Sequence, residues 1–598
     1  MRRAAGILLL LTGAGLLVAE IVLGPSGPPR EVRSSPSPSP MADPASPGPD
    51  APLAPPASAD TRVTTDHRAG SYARHDGEVD TTMRRCSTGR QEQNEPTVAV
   101  DPRDVDVVVA GANDYCAAIV NGDAWAGYYR STDGGATWRA SLVPGYPADT
   151  SDAGRASPAH GSCDGAGDPT QAFDTEGRLF YGFICADYPN DPSATPAEQE
   201  QGAAISTFVA TYEDGGDRYA RTVILARGTR GRAHDKINLA VDQSSGSHAG
   251  SVYAAWVRIS SGRADEFVRG TILFSRSTDH GRTFSDPMAI SDLRAAVFPD
   301  IAVGPNGAVY VTYRVGITLR ITKSTDGGVS FLGPRIVSSL APFDSDRFSG
   351  NGSRECGDGP FTCPGRFTFS RFQTQAAVAA DETGVHVAWN ERRGEGQSRV
   401  LVRSSPDGLI WFDQPVTLDE WPVGHQYFPD IASADGVITV VFYDSRNDPG
   451  YDPERPPGNT RTGRNSGGAV DAVVARSTDG GTTWTETRVS TRSSNFGFES
   501  PFQVPFWGDY IYASAVPGAV QVAWTDSRDL VPGRDPLEPA GQGDRDGFDV
   551  FDPCVYVPAD ILAESFDRPS SQDPCLTRGG YDQNVYSARV DSDEPTVR

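Results

Sequence analysis

The side chains of this chain that could do chemistry fall into two recurring columns. The first reads aromatic, acid, arginine: Tyr443-Asp444-Ser445-Arg446, Trp524-Thr525-Asp526-Ser527-Arg528 and Trp389-Asn390-Glu391-Arg392-Arg393, with shorter versions at Trp256-Val257-Arg258 and Tyr313-Arg314. Guanidinium groups grip carboxylates in bidentate fashion, and neighbouring carboxyls can serve as acid and base. The catalytic candidates are therefore Arg258, Arg314, Glu391, Arg392, Asp444, Arg446, Asp526 and Arg528. In the Trp524 and Trp389 copies, period-two alternation puts aromatic, acid and arginine on one side of a strand. The second column holds Asp168, Asp300, Asp430 and Asp509, with Glu95 beside them. Of these, Asp300, Asp430 and Asp509 are the candidate ligand-binding ring. Such an oxygen-rich ring would suit Ca2+, but no EF-hand-like spacing is present, and neither a metal nor another cofactor is expected. A bland reading competes with the chemical one. A catalytic residue is needed once, whereas repeated acid–arginine pairs can simply tie one repeat to the next.

The elements that must position these residues are repeats. Five segments are near-copies: Ser131–Trp138 (STDGGATW), Ser277–Phe284 (STDHGRTF), Ser324–Phe331 (STDGGVSF), Ser404–Trp411 (SSPDGLIW) and Ser477–Trp484 (STDGGTTW). Ser and Asp side chains bond nearby backbone in such turns, and Gly supplies the positive φ of a tight hairpin. The closing aromatic can cap the hairpin. Residues Ser131, Asp133, Gly135, Trp138, Ser277, Asp279, Gly281, Phe284, Ser324, Asp326, Gly328, Phe331, Ser404, Asp407, Trp411, Ser477, Asp479, Gly481 and Trp484 are the expected turn formers. In the Ser404 copy, Pro406 takes the Asp position and Asp407 comes one residue late. Thr211–Tyr219 looks like a decayed sixth copy.

Each turn belongs to a longer unit of four short strands. Seven such units of about 70 residues can be counted. A lone four-stranded unit leaves its faces partly uncovered, and radial packing buries them. The expected fold is all-β, a β-propeller of seven four-stranded blades, with six as the alternative, following a disordered N-terminal segment. In a four-stranded meander the first-to-second and third-to-fourth turns share one face. The long insertions Pro189–Ala203, Asn447–Gly468 and Leu530–Asp582, and the inter-blade Ala341–Gln373, fall on the other. Binding loops are expected there.

The repeated turn resembles the Asp-box of bacterial neuraminidases, S-x-D-x-G-x-x-W, and residues Glu95 to Val590 resemble the sialidase superfamily. The resemblance implies a propeller, six-bladed in members with sialidase activity. It also implies an arginine trio on a carboxylate, a Tyr–Glu nucleophile pair and an Asp acid/base. This chain has Glu95-Pro96-Thr97 where the family's first arginine motif, (F/Y)-R-I-P, would stand, so no catalytic residue carries over by motif. Two functions stay open. One is an exported propeller acting on or recognising extracellular glycans, as an exo-sialidase-like glycoside hydrolase with a diverged site. The other is a non-catalytic cell-surface propeller binding glycan or protein. His234 and His425 are read as polar rim residues rather than bases.

Composition bounds the rest. The 598-residue chain carries a net charge of −25 and only two lysines, Lys236 and Lys323. That excludes the basic footprint of non-specific nucleic-acid binding. Arg2 and Arg3 precede an apolar stretch over residues 4–24, read as a signal peptide or signal anchor. A Pro/Ser/Ala-rich spacer is assigned to residues 25–90 and the propeller to 91–598. Membrane contact is expected only through an uncleaved leader, the location is extracellular or cell-surface, and the chain is expected to be a monomer. Eight cysteines, Cys86, Cys116, Cys163, Cys185, Cys356, Cys363, Cys554 and Cys575, suit an exported protein, with neighbour pairing expected. The acidic stretch Asp544–Asp552 has no assigned role.

Overall fold

The second strand of each repeat is an almost unbroken run of buried residues, as in Leu179–Asp187, Gly384–Arg393, Val437–Asp444 and Ala519–Asp526. A strand shows that pattern when both of its faces are covered, here by the neighbouring repeats. The computed structural model describes residues 59–65, 70–87, 91–117, 123–188, 203–230, 232–260, 269–291, 296–341, 374–394, 397–411, 413–419, 421–451, 469–495, 507–530 and 582–590. These form seven four-stranded antiparallel sheets, the blades of a β-propeller. The inner strands are Gln93–Asp101 (blade 1), Gly165–Phe173 (blade 2), Arg232–Val241 (blade 3), Ala296–Val303 (blade 4), Ala376–Asp381 (blade 5), Gln426–Ala434 (blade 6) and Tyr512–Val516 (blade 7). The count is seven, as the repeats predict, and not the six that the family resemblance implies for active members. Apolar clusters fill the seams between blades; one joins Tyr427, Tyr443, Trp507 and Trp524 of blades 6 and 7.

Blade 7 is closed by the other end of the chain. Its outer strand is Thr61–Arg62, paired antiparallel to Asn584–Val590. Arg62 donates to Asp582 at 2.9 Å and Thr64 to Asn584 at 2.9 Å. Residues 59–65 and 70–87 fall within the span assigned to the spacer, 25–90, yet they belong to the folded body. Thr81–Cys86 is a short helix capped by Asp80, and it is bonded through Cys86–Cys116 to blade 1. Cys163–Cys185 forms the second expected pair. Cys356, Cys363, Cys554 and Cys575 lie outside the described residues, as do the leader, the stretch 544–552 and most of the four long insertions. Among the described residues no helix is long and apolar enough to cross a membrane.

The Ser–Asp–Gly turns join third to fourth strands and share one bonding scheme. Ser131 Oγ donates to Asp133 at 2.7 Å and accepts the Gly135 N–H at 2.9 Å. Asp133 in turn accepts from Thr137 N and Oγ1. Trp138 folds back so that its indole N–H meets the Gly135 carbonyl at 2.9 Å. Asp279 and Asp479 are held down at about 2 by equivalent donors. For Asp279 burial opposes the shift and the Thr283 donors outweigh it, while for Asp479 the Thr483 N–H and hydroxyl dominate. The irregular copy is shifted by one residue. Ser405, not the expected Ser404, accepts the Gly408 N–H at 2.9 Å and pairs with Asp407. Ser404 instead meets His386 Nδ1 at 2.8 Å. Proline at position 406 leaves Asp407 as the available acid, and the serine two residues before it takes the role. Replacing buried Ser131 with alanine strands the Gly135 N–H and is expected to cost about 1–2 kcal/mol, read by urea unfolding of the full chain.

Candidate functional site

Five inner strands share a bulge at which a non-glycine residue takes a left-handed backbone: Glu95, Asp168, Lys236, Phe298 and Phe428, with φ between 50° and 52°. The strand register slips at the same place in each. A left-handed residue with a Cβ costs about 1–2 kcal/mol, and a bulge re-aims the side chains around it. In blades 1, 2 and 3 those side chains converge on the propeller axis. Lys236 Nζ lies 2.9 Å from Asp168, 3.9 Å from Glu95 and 2.5 Å from Asp509 of blade 7, across the ring. The ammonium also sits over the Tyr510 ring, 5.7 Å from its centroid. The side chains of this knot are 0–10% exposed.

Its electrostatics are those of a crowded, buried carboxyl cluster. Burial and then the neighbouring Asp168 push Glu95 well above the usual carboxyl range. Burial lifts Asp235 to about 7 despite Lys236 beside it. Burial alone would lower the Lys236 ammonium, but Asp168, Asp509 and Glu95 outweigh it and hold the group charged. Glu95 and Asp168 are 0% and 1% exposed.

Asp300 and Asp430 stand two residues beyond the bulge, at the position of Thr97 and Thr170. Each accepts a backbone N–H of the next inner strand at 2.7 Å, Asp300 from Val378 and Asp430 from Ala513. Burial raises Asp300 to about 7, and burial together with Asp300 raises Asp430 well above its ordinary value. The expected ring is thereby divided: Asp509 belongs to the lysine knot, and Asp300 and Asp430 lie deeper along the axis. Tyr512 of blade 7 spans the channel and donates to Asn238 of blade 3 at 3.0 Å. Gln375 of blade 5 reaches the Asp509 carbonyl. These side chains separate a small cavity of about 60 Å³ beside Lys236 from a larger one of about 430 Å³ that opens on the turn face. Asp300, Asp430 and Tyr512 line both.

The arginine column is built differently from an anion grip. Trp389 donates to Glu391 at 3.1 Å, and Glu391 pairs with Arg393 at 2.8 Å, so Arg393 rather than the expected Arg392 completes that triplet. Trp524 donates to Asp526 at 3.1 Å, and Asp526 pairs with Arg528 at 2.5 Å. Arg528 also holds Asp60 at 2.8 Å and lies 4.1 Å over Tyr586, which pins the N-terminal segment to blade 7. Arg446 is shared among Asp444 at 2.6 Å, Glu486 at 2.8 Å and Asp419 at 3.0 Å. Arg314 donates to the carbonyls of Gly316 and Thr374. Arg392 gives its backbone N–H to Ala341, and Arg258 pairs in register with His234. Among the described residues no arginine lines either axial cavity.

His234 and His425 are not on the rim. They are 5% and 0% exposed. His234 accepts the Trp256 indole N–H at 2.8 Å, and burial lowers it to about 4. Sequence reading missed the axial roles of Lys236, Asp235, Gln375, Tyr510 and Tyr512. One signal was present: Lys236 is one of two lysines in the chain and occupies the strand-start position that is Glu95 and Asp168 in the preceding repeats.

No protein-family model and no curated protein matches the chain. Among solved structures it is similar to the intramolecular trans-sialidase of Ruminococcus gnavus, at 14% identity over 60% of this chain and 90% of that one, TM-score 0.37. It is similar to a leech intramolecular trans-sialidase at 12% identity over 61% of this chain and 65% of that one, TM-score 0.36. A sialidase of Trypanosoma rangeli gives 13% identity over 66% and 58% of the two chains, TM-score 0.37. No residue role is taken from likenesses at this level.

Proposed function

We propose that the protein is an exported propeller that recognises extracellular glycans without cleaving sialosides, using the face that carries its long connections. The carrying observation is the commitment of the arginines. Arg446 and Arg528 are each spent on several carboxylates of the fold, and Arg314 on backbone carbonyls. The axis offers acids and one charged lysine held by Asp168 and Asp509 instead. An anionic sugar meeting that field is repelled, whereas an uncharged glycan is not. Export is supported by the Arg2–Arg3 leader pattern and by the two disulfides, which suit an oxidising compartment.

Incubation of the full chain with a fluorogenic sialoside is expected to release no fluorophore. On a panel of glycans with and without terminal sialic acid, binding is expected to persist or strengthen when the acid is removed. Turnover of the sialoside, or binding lost on desialylation, would overturn the reading.

A further inference from the structure

We propose that the cup on the turn face of the channel binds an organic ammonium ion, a protonated amine carrying a small apolar body. This site lies at the opposite end of the axis from the long connections and does not depend on the glycan reading. At about 430 Å³ the cup is within the size range of small-molecule sites. Its wall is mixed, with apolar inner-strand residues such as Val98, Leu239, Ile301 and Val378 alternating with polar ones such as Gln171 and Ser514. Among the described residues, its charged lining is all acid: Asp300 and Asp430 at the floor, and Asp381, Glu382 and Asp435 toward the mouth.

Two observations beyond charge point to a ligand. Asp381 is 8% exposed and lines the cup, and its Oδ2 accepts no hydrogen bond. The buried Ser433 hydroxyl in the same wall also has no partner. A buried acceptor left open costs free energy that a donor restores. The two floor carboxyls disfavour each other's ionisation, and an ammonium head placed between them would favour their charged forms. The described residues contain no group of three His, Cys, Asp or Glu placed to hold a metal ion. An ammonium needs only two or three acceptors for its head and a few apolar neighbours, such as Val98 and Ile301, for its body.

Titration calorimetry of the full chain at low salt, with n-butylammonium as the probe, is expected to show saturable binding at one site. The isosteric n-butanol and n-butyrate are expected to bind at least about ten-fold more weakly. CaCl2 is expected not to displace the amine. The double variant Asp300→Asn/Asp430→Asn keeps an acceptor for the Val378 and Ala513 N–H groups and is expected to lose the amine response. Should that variant fail to fold, Glu382→Gln/Asp435→Asn alters only exposed residues at the mouth. It is expected to weaken binding a few-fold at low salt, with the difference fading at about 0.5 M NaCl as charges are screened. No response to n-butylammonium, an equal response to n-butanol, or displacement by CaCl2 would overturn the proposal.

Discussion

Replacing Lys236 with methionine is expected to cost the full chain about 3–5 kcal/mol of unfolding free energy. The ammonium bridges Asp168 and Asp509 at 2.9 and 2.5 Å and faces Glu95 at 3.9 Å, all nearly out of contact with water. Removing it leaves like charges crowded together in a medium that screens them poorly. Because Asp509 stands on blade 7 and Glu95 on blade 1, the same change strains the seam where the ring closes. Urea titration at neutral pH reads the loss. The deficit should shrink in Lys236→Met/Asp509→Asn, where one of the stranded charges is gone, and also at acid pH, where the carboxyls take up protons. A loss below about 1 kcal/mol would show that the knot is neutral without its lysine and would remove it as the element that locks the axis.

A stability maximum well on the acid side of neutrality, near about pH 4, is the second large expected effect. Burial is the first cause of the rise in Asp235, Asp300 and Glu486 to about 7 and in Glu92 to about 8, and it drives Glu95 and Asp430 well above their usual range. In the unfolded chain these carboxyls titrate near about 4. Between those limits the folded state holds more protons than the unfolded one, so stability falls as pH rises, by about 1.4 kcal/mol per pH unit for each net proton. His75 and His234 act in the opposite sense. Burial lowers both to about 4, so over the range from there to about 6.5 the unfolded state holds the extra protons. Six carboxyls outweigh two histidines. Below about 4 the trend reverses, because Asp279, Asp479 and Asp381, held at about 2 by their hydrogen bonds, lose those bonds on protonation. Scanning calorimetry from acid to mildly alkaline pH at fixed ionic strength is expected to show the highest Tm near about pH 4. A maximum at or above neutrality would mean that the buried carboxyls are ionised in the folded state.

Much of the architecture could be read from residues alone, and particular segments show why. The turn Ser131–Trp138 bonds almost wholly to itself, so its geometry is local and its copies mark each hairpin wherever they fall. The alternation in Trp389-Glu391-Arg393 and Trp524-Asp526-Arg528 likewise reports a local fact, the pleat of one strand, and those contacts form as the period demands. The turn at Ser405 escaped the reading because a proline displaced the acid and the serine run offered two candidates.

Sequence by itself determined the repeat, the four-strand unit and the face on which the Ser–Asp–Gly turns lie, and it favoured seven blades over six. Each of these follows from residues close together along the chain. What Asp509, Asp300 and Asp430 do was decided only by the tertiary structure. Their partners, Lys236, Val378 and Ala513, lie far off in sequence and meet them only when the ring closes. The same closure draws Thr61–Arg62 onto blade 7 and turns a stretch that reads as spacer into an outer strand. A bulge of one residue separates the knot from the cup, and a register slip of that kind carries no mark in a single strand until its neighbour is paired beside it.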